Sequence, residues 1–322
     1  MRHFSIIGAA HLDALVEGID EPVVREGSHA AGQIRLSFGG DALNEAVTLS
    51  RLGGKVDLVS KVGDDSGGDM ALAYCRENGL DTAHIFRKTG LATSLNIVLI
   101  DTEGERSFIT DPHSSLRALT VGDVLPYVET LAPMVCFASL FVFPKFDSQA
   151  LETLFSRIKK KGCVLCADMT KRKSGETLAD LENVWPYIDI LFANAEEAGL
   201  LSDHIGTAAV ARDFRRYGMK CMVVKTGKEG CFIDSDEVSG AVPGCRCENC
   251  VDTTGAGDNF AAGFLFARAN GSRLIDCARF GNAIASLCVE HVGATAHTIR
   301  LDDVLERCRV NYPDFDESPY CG

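Results

Sequence analysis

Val251–Ala267 reads VDTTGAGDNFAAGFLFA. A polar turn carrying Gly255, Ala256 and Gly257 runs into an apolar helical repeat. Two glycines one residue apart let the backbone turn sharply and aim several N–H groups at one point, where the helix dipole adds partial positive charge. Such a start suits an anion, above all the charge that develops on a transferring phosphoryl group. Asp258 falls in the first turn beside that point, where a carboxylate can accept the proton of an attacking hydroxyl. On its own the stretch reads equally well as an N-capped helix with an acid in its first turn. A dinucleotide-binding loop is excluded, because Phe260 stands where GxGxxG needs its third glycine. No GxxxxGK[ST] phosphate loop occurs anywhere in the chain.

Outward from this stretch, short apolar runs alternate with amphipathic segments of helical period. Strands are expected at Phe4–Ile7, Val56–Ser60, Met134–Ala138, Val164–Ala167, Ile188–Phe192, Met222–Lys225 and Cys231–Asp234. Helices are expected at Ala42–Leu52, Gly67–Asn78, Ser148–Lys160, Glu196–Leu201, Ala208–Tyr217, Ala256–Ala269 and Leu274–Val289. The alternation predicts an α/β fold with a mostly parallel sheet covered on both faces. Two regions break it. Leu12–Ile19 with Gly32–Phe38, and Thr93–Ile100 with Glu105–Thr110, read as strands with no helix between, the second pair joined by a DTEG turn. They predict a small antiparallel lid inserted at about 12–38 and 93–110 into a single domain spanning 1–322. The acidic tail after Val310, NYPDFDESPYCG, is expected on the surface.

With 322 residues, 46% of them hydrophobic, the chain can bury a large core. No apolar run is long enough to span a bilayer, and the N-terminus reads as a buried strand rather than a signal peptide. The net charge of −13 argues against a nucleic-acid surface. The 13 cysteines are odd in number and often sit in apolar runs, which fits small buried hydrophobes in a reducing cytoplasm.

Together, GGDALNEAVTLSRLGGKVDLVSKVGDDSGGDM at Gly39–Met70 and DTTGAGDNFAAGFLFA at Asp252–Ala267 resemble the two signature regions of the PfkB, or ribokinase-like, carbohydrate kinases. GAAHLD near the start, NAEEAGLL at Asn194–Leu201, VVKTGKEGCF at Val223–Phe232 and GNAIASLCVEHVGA at Gly281–Ala294 extend the resemblance over nearly the whole chain. The chain is similar to an uncharacterised sugar kinase group carrying GGDA[IL]NEA and CADM. The resemblance implies a ribokinase-like three-layer domain with a β-strand lid. It also implies an ATP-dependent sugar kinase with magnesium, Asp258 as general base and Gly255, Ala256 and Gly257 as the anion hole. Asp13, Gly39, Gly40, Asp41 and Asn44 match the sugar-binding positions, and Asn44 offers donors and an acceptor to vicinal hydroxyls. Asn194 and Glu197 match the N-x-x-E element that organises magnesium through water. Lys225, Gly227 and Gly230 match the loop that passes the nucleotide, with Lys225 departing from the more usual Thr or Ser. Asn282 matches a position beside the adenine. Asp252, Thr254 and Gly293 match a monovalent-cation site, so potassium is a candidate activator. Relatives often pair lid strands, which implies a homodimer.

The substrate stays open at this level. Asp13, Asp41 and Asn44 suit hydroxyls, while Arg106 in the lid hairpin, with Lys171 and Arg172, could meet an anionic end. The plainer reading of these cations is a solvated basic loop. A sugar or sugar acid leads. A nucleoside is the alternative and would need aromatic stacking from Phe38 or Phe108. A non-catalytic sugar or nucleotide sensor would have no use for Asp258. CRCENC, with Cys245, Cys247 and Cys250, offers three thiolates where a structural zinc usually takes four ligands.

Overall fold

The computed structural model describes residues 2–19, 30–102 and 106–321. Residues 20–29 of the first lid segment, and 103–105 at the DTEG turn, lie outside the described residues.

The strands are β1 (His3–Ile7), β2 (His11–Glu17), β3 (Gln33–Gly39), β4 (Lys55–Gly63), β5 (Ile85–Lys88), β6 (Leu95–Ile100), β7 (Arg106–Ile109), β8 (Met134–Leu140), β9 (Val164–Met169), β10 (Ile190–Asn194), β11 (Cys221–Lys225), β12 (Gly230–Ser235) and β13 (Ser239–Pro243). The helices are α1 (Asp41–Arg51), α2 (Ser66–Glu77), α3 (Val121–Val124), α4 (Ser148–Lys160), α5 (Ala195–Leu201), α6 (Thr207–Arg216), α7 (Ala256–Ala269), α8 (Leu274–Cys288) and α9 (Leu301–Asn311). Among the described residues, nine strands form the main sheet in the order β13-β12-β11-β10-β9-β8-β1-β4-β5. Only β12 runs against the rest, because the β11–β12 and β12–β13 pairs are both antiparallel.

Alternation along each strand feeds two cores. Phe4 and Ile6 of β1, Val56 and Leu58 of β4 and Cys221 and Val223 of β11 pack with α1, α2, α7, α8 and α9. Ile7, Val59, Met222 and Val224 pack with α4 and α6 on the opposite face. A sheet buried on both faces explains why these strands read as continuous apolar runs.

The small sheet has the order β3-β2-β6-β7. Its β2–β3 and β6–β7 pairs are antiparallel, whereas β2 and β6 are parallel. The expectation of a purely antiparallel sheet is corrected there: β2 and β6 come from separate insertions that leave the main sheet in the same direction. Leu12 and Val98 are buried, while Ile34, Leu36 and Phe108 are 68, 55 and 64% exposed.

Three further expectations change. β5 and β13 were not foreseen; IFRK and SGAVP are short and mix polar with apolar residues, so period gives no signal. The tail is not merely a surface segment. It follows α9, buries Tyr312 and lays Tyr320 on Phe280 with ring centroids 5.3 Å apart. Its aromatics supply the apolar surface that its acidic composition hides.

Candidate active site

Gly255 caps α7 in the left-handed region, φ 73°, and a Cβ there would lie 2.1 Å from the Cβ of Ala294. Only glycine fits both demands. The turn is fixed by Asn259, fully buried, whose Nδ2 donates to the carbonyls of Gly255 and Ala294 and whose Oδ1 accepts from Thr48 of α1 at 2.9 Å. The Ala256 N–H turns back to the Thr253 carbonyl at 3.2 Å, and the α7 N-terminus that follows offers the partial positive charge of a helix start.

Asp258 meets the first signature directly: Asn44 Nδ2 donates to its Oδ2 at 2.7 Å. Burial, reinforced by the charge of Asp168, raises its pKa to about 6, against the lowering effects of the Asn44 hydrogen bond and Lys225. A carboxylate poised there is ionised at neutral pH yet basic enough to take a proton. Asp41, the first residue of α1, is pushed well above the usual carboxylate range by burial, with Asp258 and Asp168 adding to it. Glu45, one turn on, is fully buried beside the Cys136 thiol, and burial likewise drives it up.

The carboxyl ends of three adjacent strands complete this cluster, which is where open α/β sheets place their sites. Asp168 ends β9, Asn194 ends β10 and Lys225 ends β11. Lys225 Nζ binds both oxygens of Asp168 at 2.9 and 2.7 Å. Asn194 and Glu197 form a reciprocal cap on α5, Glu197 N–H to Asn194 Oδ1 at 2.8 Å and Asn194 N–H to Glu197 Oε2 at 2.9 Å. Burial raises the pKa of Glu197.

The small sheet supplies the other wall. His11 Nε2 lies 3.3 Å from Asp13 Oδ1, and Asn96 Nδ2 donates to the same oxygen at 3.0 Å. A Cβ on Gly39 would fall 2.4 Å from Asp13 Oδ2, so the backbone approaches this carboxylate as only glycine allows. His11 Nδ1, Asn44 Oδ1 and Asn96 Oδ1 are buried without a hydrogen-bond partner. Natural interiors rarely tolerate such atoms. Gly40, with φ 107°, is the N-cap of α1.

The remaining expected positions divide. Asp252 Oδ1 accepts from Thr254 N–H at 2.9 Å and Oδ2 from Gly293 N–H at 2.8 Å, so this trio is brought together beneath the α7 turn. Gly227 and Gly230 shape the β11–β12 turn, with φ 64° and 99°. Asn282 is buried away from the carboxylates, donating to the carbonyls of Val242 and Pro243 and to Tyr312 OH. Lys171 pairs with Glu196, and Arg172 donates to the Glu176 carbonyl. The backbone of Arg106 opens β7; its side chain lies outside the described residues. Cys245 donates to Tyr312 OH at 3.4 Å. Among the described residues, no three His, Cys, Asp or Glu side chains are grouped to hold a metal.

His11, Asn96, Asp168 and Asn259 were not singled out from sequence. Asp168 had a signal, a charge closing the apolar run VLCA. His11 and Asn96 had none, because a polar residue on a half-exposed strand is ordinary.

The main sheet, its two helical layers and the small sheet define a ribokinase-like α/β protein. An Arabidopsis thaliana ribokinase, solved in complex with ribose and ATP, superposes with a TM-score of 0.82 at 24% identity, covering 96% of this chain and 99% of that one. Residues 1–300 match the pfkB family of carbohydrate kinases, and the chain belongs to that family. It is a sugar kinase of that family. An uncharacterised sugar kinase of Archaeoglobus fulgidus is 30% identical over 76% of this chain and 96% of its own. The 2-dehydro-3-deoxygluconokinase of Haemophilus influenzae is 29% identical over 80% of this chain and 88% of its own. No helix among the described residues is long and apolar enough to cross a membrane.

Proposed function

We propose that this enzyme transfers the γ-phosphoryl group of ATP to a hydroxyl of a small neutral sugar, with Asp258 as general base. The observation that carries the reading is the 2.7 Å hydrogen bond between Asn44 and Asp258. It joins the hydroxyl-binding helix to the anion-binding helix at one carboxylate. The substrate hydroxyl gives its proton to Asp258 as its oxygen forms a bond to the γ-phosphorus. The bond from that phosphorus to the β–γ bridging oxygen breaks, and ADP leaves. The N–H groups of Gly255, Ala256 and Gly257 stabilise the charge on the moving group. Asp13, Gly39, Gly40, Asp41 and Asn44 hold the sugar, and Asn194, Glu197 and Lys225 face the phosphates.

Magnesium fits this donor set. It keeps most of its waters and needs one or two carboxylates rather than a closed cage. Glu197, anchored through one oxygen by the Asn194 N–H, and the neighbouring acids would hold it through water. Bound there, it neutralises phosphate charge. Asp252, Thr254 and Gly293, already tied together beneath the anion hole, are the proposed monovalent-cation position, with potassium as the candidate.

Three features favour a neutral sugar. Lys171 and Arg172 are engaged elsewhere, which removes two of the cations a sugar acid could use. The orphaned acceptors Asn44 Oδ1 and Asn96 Oδ1 suit hydroxyl donors. Phe38 is stacked on Tyr74, centroids 4.1 Å apart, which withdraws one of the two rings a nucleoside base could use. The apolar outer face of the small sheet, where Leu36, Ala14 and Ile97 stand in register, supports a homodimer through that face, and Leu36→Glu with Ile97→Glu should yield monomers by sedimentation.

The deciding experiment is coupled ADP release across neutral hexoses, ketoses, sugar acids and nucleosides, in potassium and in sodium. Turnover of a sugar acid or nucleoside with none on neutral sugars would overturn the substrate assignment.

A further inference from the structure

Lys225 and Asp168 stand on strands that are not neighbours. β10 lies between β9 and β11, and the ammonium crosses its carboxyl end, beside Asn194, to reach both Asp168 oxygens. Both are buried; the side chains are 13 and 5% exposed. Taking such a pair out of water costs about as much as its attraction returns, so stability alone does not account for it.

The ammonium has a second neighbour. A Cβ on Gly257 would sit 3.2 Å from Nζ and 3.7 Å from Cε of Lys225. The lysine therefore lies against the first turn of α7, over the backbone that forms the anion hole. Its charge acts on the acids around it, lowering the pKa values of Asp41, Glu45, Glu197 and Asp258 as well as Asp168. Asp168, Glu197 and Asp258 in turn keep the amine protonated despite its burial. A fixed cation beside the start of a helix is what a group carrying several negative oxygens requires.

We propose that Lys225 is a catalytic residue that binds the transferring phosphoryl group beside the Gly255–Gly257 amides. Asp168 is its positioning residue, holding the ammonium over Gly257 until phosphate oxygens take over part of its coordination. This deepens the kinase reading and rests on it. A methyl at position 257 would press on the cation, which would have to give by a few tenths of an ångström.

The test uses the full-length enzyme, the sugar it accepts, and four variants. Lys225→Met should lower kcat about 100-fold while the KM for sugar changes less than about threefold. Lys225→Arg should recover part of the loss. Asp168→Asn should lower kcat about tenfold, again sparing the sugar KM. A merely structural pair would not give the pH signature. The acid limb of kcat/KM for ATP should move to lower pH in Asp168→Asn, which loses a charge that raises Asp258, and to higher pH in Lys225→Met, which loses one that lowers it. A Lys225→Met enzyme with kcat within threefold of wild type overturns the proposal. If that variant does not fold, Asp168→Asn decides alone: unchanged kcat and an unmoved limb overturn it. Asp258→Asn is the control, because wild-type turnover that survives its substitution would remove Asp258 as the base, and with it the reading of the site on which the proposal rests, whatever the lysine variants do.

Discussion

On the proposed reading, the two ends of the site are built from different parts of the molecule and use different physics. The phosphoryl end then stands on the ends of three central strands and the start of α7, where Asp168 is buried, Lys225 and Asp258 are half-buried, and the three interact mainly through charge. The sugar end stands on β2, β3 and β6 of the peripheral sheet, where His11, Asp13 and Asn96 interact through hydrogen bonds. Reaction chemistry needs charges that do not relax, so it belongs on the packed core. Selectivity needs donors and acceptors that can vary without disturbing that core. Substitutions at the two ends should therefore separate into effects on kcat and effects on sugar KM.

The largest effect tests the phosphoryl end. Asp258→Asn should keep the far-ultraviolet circular dichroism of the wild type and lose about 10³-fold in kcat. Its amide preserves shape and a partner for Asn44 but cannot accept a proton. Phosphorylation within tenfold of wild type would remove Asp258 as the base and collapse the contrast between the ends.

At the sugar end, Asn96→Ala should raise the sugar KM about tenfold, the worth of one or two buried hydrogen bonds, with the KM for ATP nearly unchanged. His11→Ala should act in the same direction. An equal rise in both KM values would mean that the small sheet supports the whole site rather than one side of it.

The same division explains what could be read from the chain. The turn into α7 was legible because its geometry depends on local sequence: Gly255 takes its left-handed φ, and Asp258 follows at a fixed helical offset. α4 and α7 were placed to the residue for a similar reason, long amphipathic or apolar repeats with clear ends. The Lys225–Asp168 pair was not legible, because it depends on β9, β10 and β11 lying side by side. The Asn96–Asp13 contact depends on the parallel β2–β6 register, which no local pattern specifies. β5 and β13 failed for want of length, and the tail failed because composition masks its three aromatics, Tyr312, Phe315 and Tyr320.

A smaller effect follows from the acid limb. With Asp258 near 6 in the free enzyme, kcat/KM for ATP should rise with pH through about 6 and level above 7. A limb near 4 would mean that the carboxylate feels ordinary solvent, and the electrostatic contrast between the two ends would lose its basis.

The smallest effect is on stability, and its sign is specific. The Asp258 pKa is about 6 when folded and near 3.8 when unfolded. Below about pH 3.8 both states carry the proton and there is no difference. Between about 4 and 6 the folded state holds a proton that the unfolded state has released, so stability falls as pH rises. Above about 6 the penalty is complete. Two pKa units correspond to about 3 kcal/mol at most, and residual solvent contact together with the loss of a charge-assisted bond from Asn44 should leave about 1–2 kcal/mol. Asp258→Asn should thus melt higher than wild type at pH 8, and the advantage should shrink at pH 5. The phosphoryl end would then be held against the folding preference of its own carboxylate. Asn96→Ala, which strands a buried partner instead of relieving one, should melt lower at both pH values, and an Asp258→Asn that did the same would show that the two ends store no different kind of energy.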